Sequence, residues 1–185
     1  MRRALALAAL LLTIAAATGC GAKQEPGDGA SSGKREDLRL VLDYFPNADH
    51  AGIYAAQAAG EYDRAGLNVD ITTPPDPAAP LKLLQAGRAD VVISYEPELL
   101  LARDKGQKLV AVGALVQKPL TSIVSIGRKA VATPQQLAGK TVGTAGIPYQ
   151  SAYLKAILAK AGVAPSGVKE VNVGFNLVPA MLSGK

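Results

Sequence analysis

From residue 38 onward the chain switches between two hydrophobic periods, with Gly and Pro marking the changes. Residues 38–42 read Leu-Arg-Leu-Val-Leu, alternating and apolar enough for a strand. Residues 52–65 carry the helical period and stop at Ala65-Gly66, a C-terminal glycine signal that leads into a strand over 67–71. Pro74-Pro75-Asp76-Pro77 is a rigid loop. A helix over 79–85 ends before Gly87, and 90–93 is a short buried strand. A helix over 96–105 is closed by Gly106, and 109–112 is a further strand. The β-branched residues of 121–126 predict an extended crossover.

The pattern then partly repeats, with strands over 140–143 and 168–173 and helices over 149–161 and 177–182. Ala65-Gly66-Leu67 is echoed by Ala161-Gly162-Val163, and Ala86-Gly87-Arg88 by Ser183-Gly184-Lys185. The first of the latter pair leads into a buried strand, so the echo predicts another strand after Lys185 and a second lobe that is incomplete here. Strands alternating with helices at this spacing imply βαβ units and a mostly parallel α/β fold in two lobes. The expected divisions are 38–125 for lobe one and 126–185 for the first part of lobe two.

The N-terminal residues break this pattern. Met1-Arg2-Arg3 is a short basic start, and residues 4–17 are apolar apart from Thr13. A run of about 14 such residues suits a signal-peptide core better than a membrane span. Ala17-Thr18-Gly19-Cys20 resembles a bacterial lipobox, with Ala17 where Leu is usual. Residues 1–19 are therefore expected to be a signal peptide, with Cys20 as the lipidation site. The competing reading is an ordinary cleaved signal with a chance Cys. Residues 20–37, rich in Gly, Ser and charge, read as a flexible tether. Cys20 is the chain's single cysteine, so no intrachain disulfide forms.

Charge changes little. The net charge is +5, but Lys and Arg are scattered among Asp and Glu, with no basic run interleaved with aromatics. Nucleic-acid binding is not indicated. Residues 134–141 (PQQLAGKT) mimic part of a phosphate-binding loop, yet Pro134 stands where the first Gly is required and the segment precedes a strand. No dinucleotide fingerprint, nucleophile elbow or zinc-protease motif occurs, and one His with one Cys leaves no metal set. Catalytic, metal and cofactor assignments are all none. Glu96 and Glu98 are first read as a helix start complementing the macrodipole.

What remains is polar and aromatic residues at strand C-terminal ends, where open parallel sheets bind ligands. Asp43, Tyr44, Asn47 and His50 follow the first strand, Ser94, Tyr95 and Glu96 the third, and Gln117 the fourth. Tyr149 and Asn176 hold corresponding places in the second half. The bland alternatives are caps and turns for Asn47 and Ser94, lobe packing for Tyr44 and Tyr95, and a hydrogen-bonded helix-start residue for His50.

The runs LVLDYFPNADHAGIYAAQAAGEYDRAGLNVDI, PPDPAAPLKLLQAGRADVVISYEPELLLARDKG, VGALVQKPLTSI and NVGFNLVPAMLSGK resemble the thiamine-pyrimidine class of ABC-importer solute-binding proteins. That class is related to fungal thiamine-pyrimidine synthases and to nitrate- and sulfonate-binding proteins. The resemblance covers residues 38–185 and implies a type II periplasmic-binding fold closing on a small ligand. It implies a monomer that hands its ligand to a permease and ATPase, held to the membrane by lipid on Cys20. Tyr44 stands where an aromatic, commonly Trp, stacks on the ligand ring, and Asn47, His50, Tyr95 and Glu96 match polar or stacking contacts. The expected ligand is hydroxymethylpyrimidine or its formylamino precursor; a sulfonate- or nitrate-type ligand is the alternative within binding. The synthases carry a cofactor Lys and a donor His in the segment matching 94–100, and neither stands here. The expectation is a binder and not an enzyme, with a synthase as the alternative.

Overall fold

Leu38, Leu40 and Leu42 share one face of a central strand and Val41 lies on the other, with Val41 and Leu42 buried. The computed structural model describes residues 34–127 and 130–184. Cys20, the signal segment and most of the tether lie outside the described residues. Strand β1 (Glu36–Val41) pairs in parallel with β2 (Leu67–Thr72) on one side and β3 (Val91–Val92) on the other. Glu36 and Asp37, assigned by sequence to the tether, already pair with Leu67 and Asn68. Ladder bonds from Asp90 N–H to the Arg39 carbonyl and from Ile93 N–H to the Val41 carbonyl extend the short β3. Arg39 also grips the Asp90 carboxylate, and this hydrogen-bonded pairing holds Asp90 down to about 2.

The crossover from β1 to β2 is made by helices α1 (Ala51–Ala58) and α2 (Glu61–Arg64), where one helix was expected. Gly60, with φ of 72°, breaks the run because a left-handed residue cannot continue an α-helix. Helix α3 (Pro80–Gln85) carries the chain to β3, and α4 (Glu96–Asp104) follows it.

The predicted strand over 109–112 does not form. Leu109 N–H bonds back to the Gln107 carbonyl, and Arg103 donates to the Leu109 carbonyl, so these groups make no ladder with β3. Val110 and Val112 are 78% and 86% exposed, so β-propensity there finds neither a ladder nor a surface to pack on. Residues 113–126 continue without helix or strand. Ser125 Oγ accepts the Val131 N–H at 2.9 Å.

A second sheet pairs β4 (Thr141–Thr144) with β5 (Lys169–Asn172) in parallel, in the register Thr141 to Lys169. Helix α5 (Pro148–Lys160) covers it, burying Leu154 and Leu158 against Leu137 and Val168. The GKT segment is a turn into β4: a capping box at Thr133 opens a 3-10 turn over Pro134–Leu137. Helix α6 (Leu177–Ser183) follows β5. Among the described residues no helix is long and apolar enough to cross a membrane.

Candidate ligand site at the strand ends

The first sheet runs β2-β1-β3, so the chain reverses direction across the sheet at the boundary between β1 and β3. Loops leaving the carboxyl ends of two such strands diverge and expose a crevice. β1 delivers Asp43 there, and β3 delivers Ser94 and Tyr95. Asp43 accepts on both oxygens: His50 Nε2–H donates to Oδ1 at 2.8 Å, and the Tyr95 hydroxyl donates to Oδ2. His50 Nδ1 accepts the Asn47 backbone N–H at 3.3 Å, which assigns the ring proton to Nε2. At 1% exposure and with both nitrogens engaged, His50 orients Asp43 from behind.

Glu98 stands beside this pair, with its Oε2 accepting the Ser94 hydroxyl at 2.7 Å. Burial pushes its carboxyl above the usual range and the neighbouring Asp43 charge adds to this, while the Ser94 bond pulls the other way. Burial, then the hydrogen bond and charge of Asp43, push the Tyr95 phenol far up, so it stays a proton donor. Among the described residues no cation pairs with Glu98. Two carboxylates with a phenol between them favour a ligand edge rich in N–H groups.

From the second sheet, Tyr149 lies buried at the start of α5, its ring centroid 5.3 Å from that of Tyr95 and its hydroxyl 3.0 Å from Thr121 Oγ1. Tyr44 donates its hydroxyl to the Phe175 carbonyl at 3.0 Å and meets the Phe175 ring edge-on at 4.9 Å. Of the residues expected at the site, the structure thus links Asp43, His50, Tyr95 and Tyr149 through side-chain contacts, while Ser94 bonds Glu98 and Tyr44 meets Phe175. Asn47 caps the following turn, accepting the Asp49 N–H and donating to the Phe45 carbonyl. Glu96, Gln117 and Asn176 are exposed and none is tied into the cluster by a side-chain hydrogen bond.

Glu98 and Phe175 were missed. On α4 the inward stripe is Tyr95, Glu98, Leu99 and Ala102, spaced three and four apart, while Leu100 and Leu101 face outward. Helical spacing from Tyr95 would have found Glu98; the Leu-Leu-Leu run obscured it. Phe175 carried no signal beyond its position at a strand end. Among the described residues no three His, Cys, Asp or Glu side chains stand together as a metal site. The segment 94–100 offers no Lys for pyridoxal phosphate, and two carboxylates oppose a phosphate group; the residues do not fit that cofactor. A separate open hollow of about 550 Å³ lies beside Leu84, Gln85, Gln107 and Leu109, on the β3 edge.

A model of the NMT1/THI5-like family matches residues 47–185. The chain is 34% identical over 95% of its length to a formylaminopyrimidine-binding protein of Halalkalibacterium halodurans, covering 52% of that protein. It is 35% identical over 82% of its length to a putative thiamine biosynthesis protein of Haemophilus influenzae, covering 48% of it. A 4-amino-5-hydroxymethyl-2-methylpyrimidine phosphate synthase of Schizosaccharomyces pombe is 26% identical over 74% of the chain, which covers 39% of the synthase. The chain therefore spans about half the length of the first two of these relatives. Among solved structures, the alkanesulfonate-binding protein SsuA of Xanthomonas axonopodis pv. citri, bound to MOPS, superposes with a TM-score of 0.55 at 17% identity, over 83% of this chain and 53% of that one. A protein from Bordetella bronchiseptica gives 0.58 at 22% identity, over 82% and 49%. The α/β architecture expected from the sequence is thus shared with these two solved structures.

Proposed function

The chain belongs to the NMT1/THI5-like family, and from that premise we propose that it is the ligand-binding component of an importer for a thiamine-related pyrimidine. The observation that carries this reading is the convergence of Asp43, Tyr95 and Glu98 at the β1/β3 switch point, beside aromatic rings from the second sheet. An aminopyrimidine presents a ring nitrogen beside an exocyclic amine, and a carboxyl group that shares a proton with the ring nitrogen while accepting from the amine pairs with that edge through two parallel hydrogen bonds. Similarity to a formylaminopyrimidine-binding protein supports the same ligand class. Residues 38–125 and 126–185 act as two lobes in this reading, with the ligand between them. Cys20 carries a lipid that holds the exported protein at the membrane, where a permease and its ATPase accept the ligand. Calorimetric titration of the full chain tests the assignment: hydroxymethylpyrimidine or formylaminopyrimidine gives saturable binding, and taurine and nitrate give none. Binding of an alkanesulfonate without any pyrimidine overturns the ligand and leaves the transport role standing.

Similarity to a phosphate synthase keeps an enzymatic reading in view. The absence of Lys and His from 94–100 and the burial of His50 oppose it. Incubation with pyridoxal phosphate and iron is expected to leave the intact mass unchanged; a mass loss localised to His50 would establish the synthase reading instead.

A further inference from the structure

Three aromatic rings meet at the ends of the two sheets. Tyr44 and Phe45 follow β1, and Phe175 lies in the turn Gly174–Asn176 after β5. The Phe175 ring lies over Phe45 at 4.4 Å between centroids and 37° between planes. Tyr44 stands edge-on to both, at 77° to Phe175 and 78° to Phe45. Its hydroxyl donates to the Phe175 carbonyl at 3.0 Å. One flat ring thus rests on a second with a third walling it in, the arrangement by which proteins hold a planar heterocycle.

We propose that Phe175 is a resident plug: its ring occupies the aromatic box of Tyr44 and Phe45 when no ligand is bound, and a planar nitrogen heterocycle takes its place. This rests on the binding reading above and adds a specificity-determining residue to it. Phe45 is 50% exposed, so the box opens to solvent and an incoming ring reaches it. The box follows directly on Asp43 in the chain, at the same carboxyl end of β1. The plug is built to move. Phe175 precedes α6, a seven-residue helix with no side-chain cap, on which Val178 and Leu182 are exposed. Short, poorly buried elements open at low cost. Gly174 is tied by its N–H to Asn172 Oδ1 at 2.9 Å, which anchors the base of the turn.

A plug lowers apparent affinity by the fraction of molecules in which the box is free. If that fraction is about a tenth to a third, removing the plug tightens binding about 3- to 10-fold. The test titrates hydroxymethylpyrimidine into the full chain and into Phe175→Ala, with Phe175→Leu as a variant that keeps apolar volume should the alanine form fold poorly. Both variants are expected to bind more tightly and to associate faster. In the ligand-free wild type, NMR is expected to show cross-relaxation between the Phe45 and Phe175 rings, lost on adding the pyrimidine. Wild-type binding with unchanged or weakened binding by the variants overturns the plug alone. Absence of the ring contact in the free chain does the same. Failure of wild type and variants to bind any pyrimidine overturns the ligand class, and the displacement with it.

Discussion

Asp43 receives hydrogen bonds from His50 and Tyr95 on its two oxygens, so its substitution isolates what the carboxylate contributes. Asp43→Asn keeps one acceptor but turns an N–H toward a donor. It is expected to cost about 1–3 kcal/mol in stability, measured by urea unfolding, through an unpaired donor in a part-buried setting. Glu98 behaves differently. Its folded pKa is raised, so the native state holds the proton over a range in which the unfolded chain has lost it. Its unfavourable effect is therefore absent below its ordinary value of 4.5, grows as pH rises through 4.5 toward the folded value, and is constant above that. Glu98→Gln, which keeps an acceptor for Ser94, is expected to match wild type in acid and to melt higher at neutral pH. A melting difference that shrinks as pH rises contradicts the buried, cation-free setting. Position along the chain singled out Asp43, Tyr95 and Tyr149, which the structure links through side-chain contacts, because strand ends are readable from period and turn residues. Glu98 was hidden because a charged residue at a helix start has a sufficient local explanation, and only packing shows which way it faces.

Most elements were readable because the chain marks their ends with Gly and Pro and their faces with period. The exceptions are where tertiary context decides. Residues 109–112 have strand composition but no ladder beside them, and Gly60 divides a helix whose apolar period runs on through it. The second sheet depends on a close approach at Gly146, with φ of 79°: a Cβ there would lie 2.4 Å from Asn172 Nδ2. Gly146→Ala is expected to lose about 1–2 kcal/mol to the left-handed conformation and about 1–3 kcal/mol more to the clash with Asn172. Gly60→Ala has the same conformational cost, but its nearest atom is the flexible Arg64 guanidinium at 3.7 Å. Thermal unfolding of the two variants should therefore rank Gly146→Ala well below Gly60→Ala. Equal losses would remove the Asn172 contact from the account.

At the scale of the molecule, two parallel sheets present their carboxyl ends to side chains that contact one another: Tyr95 with Tyr149, and Tyr44 with Phe175. That convergence was implied by the repeat of the βαβ pattern, but its members were not, since contacts between distant segments leave no periodic trace. Ligand is expected to bind at this convergence, on the β1/β3 switch point, with carboxylates reading an N–H-rich edge. A crystal structure of the full chain with hydroxymethylpyrimidine tests it most directly. The ring is predicted on Phe45 and Tyr44, with its amino edge within hydrogen-bond distance of Asp43 or Glu98 and Phe175 displaced. A ring seated in the hollow beside Leu84 and Gln107, with Phe175 still on Phe45, would contradict this placement.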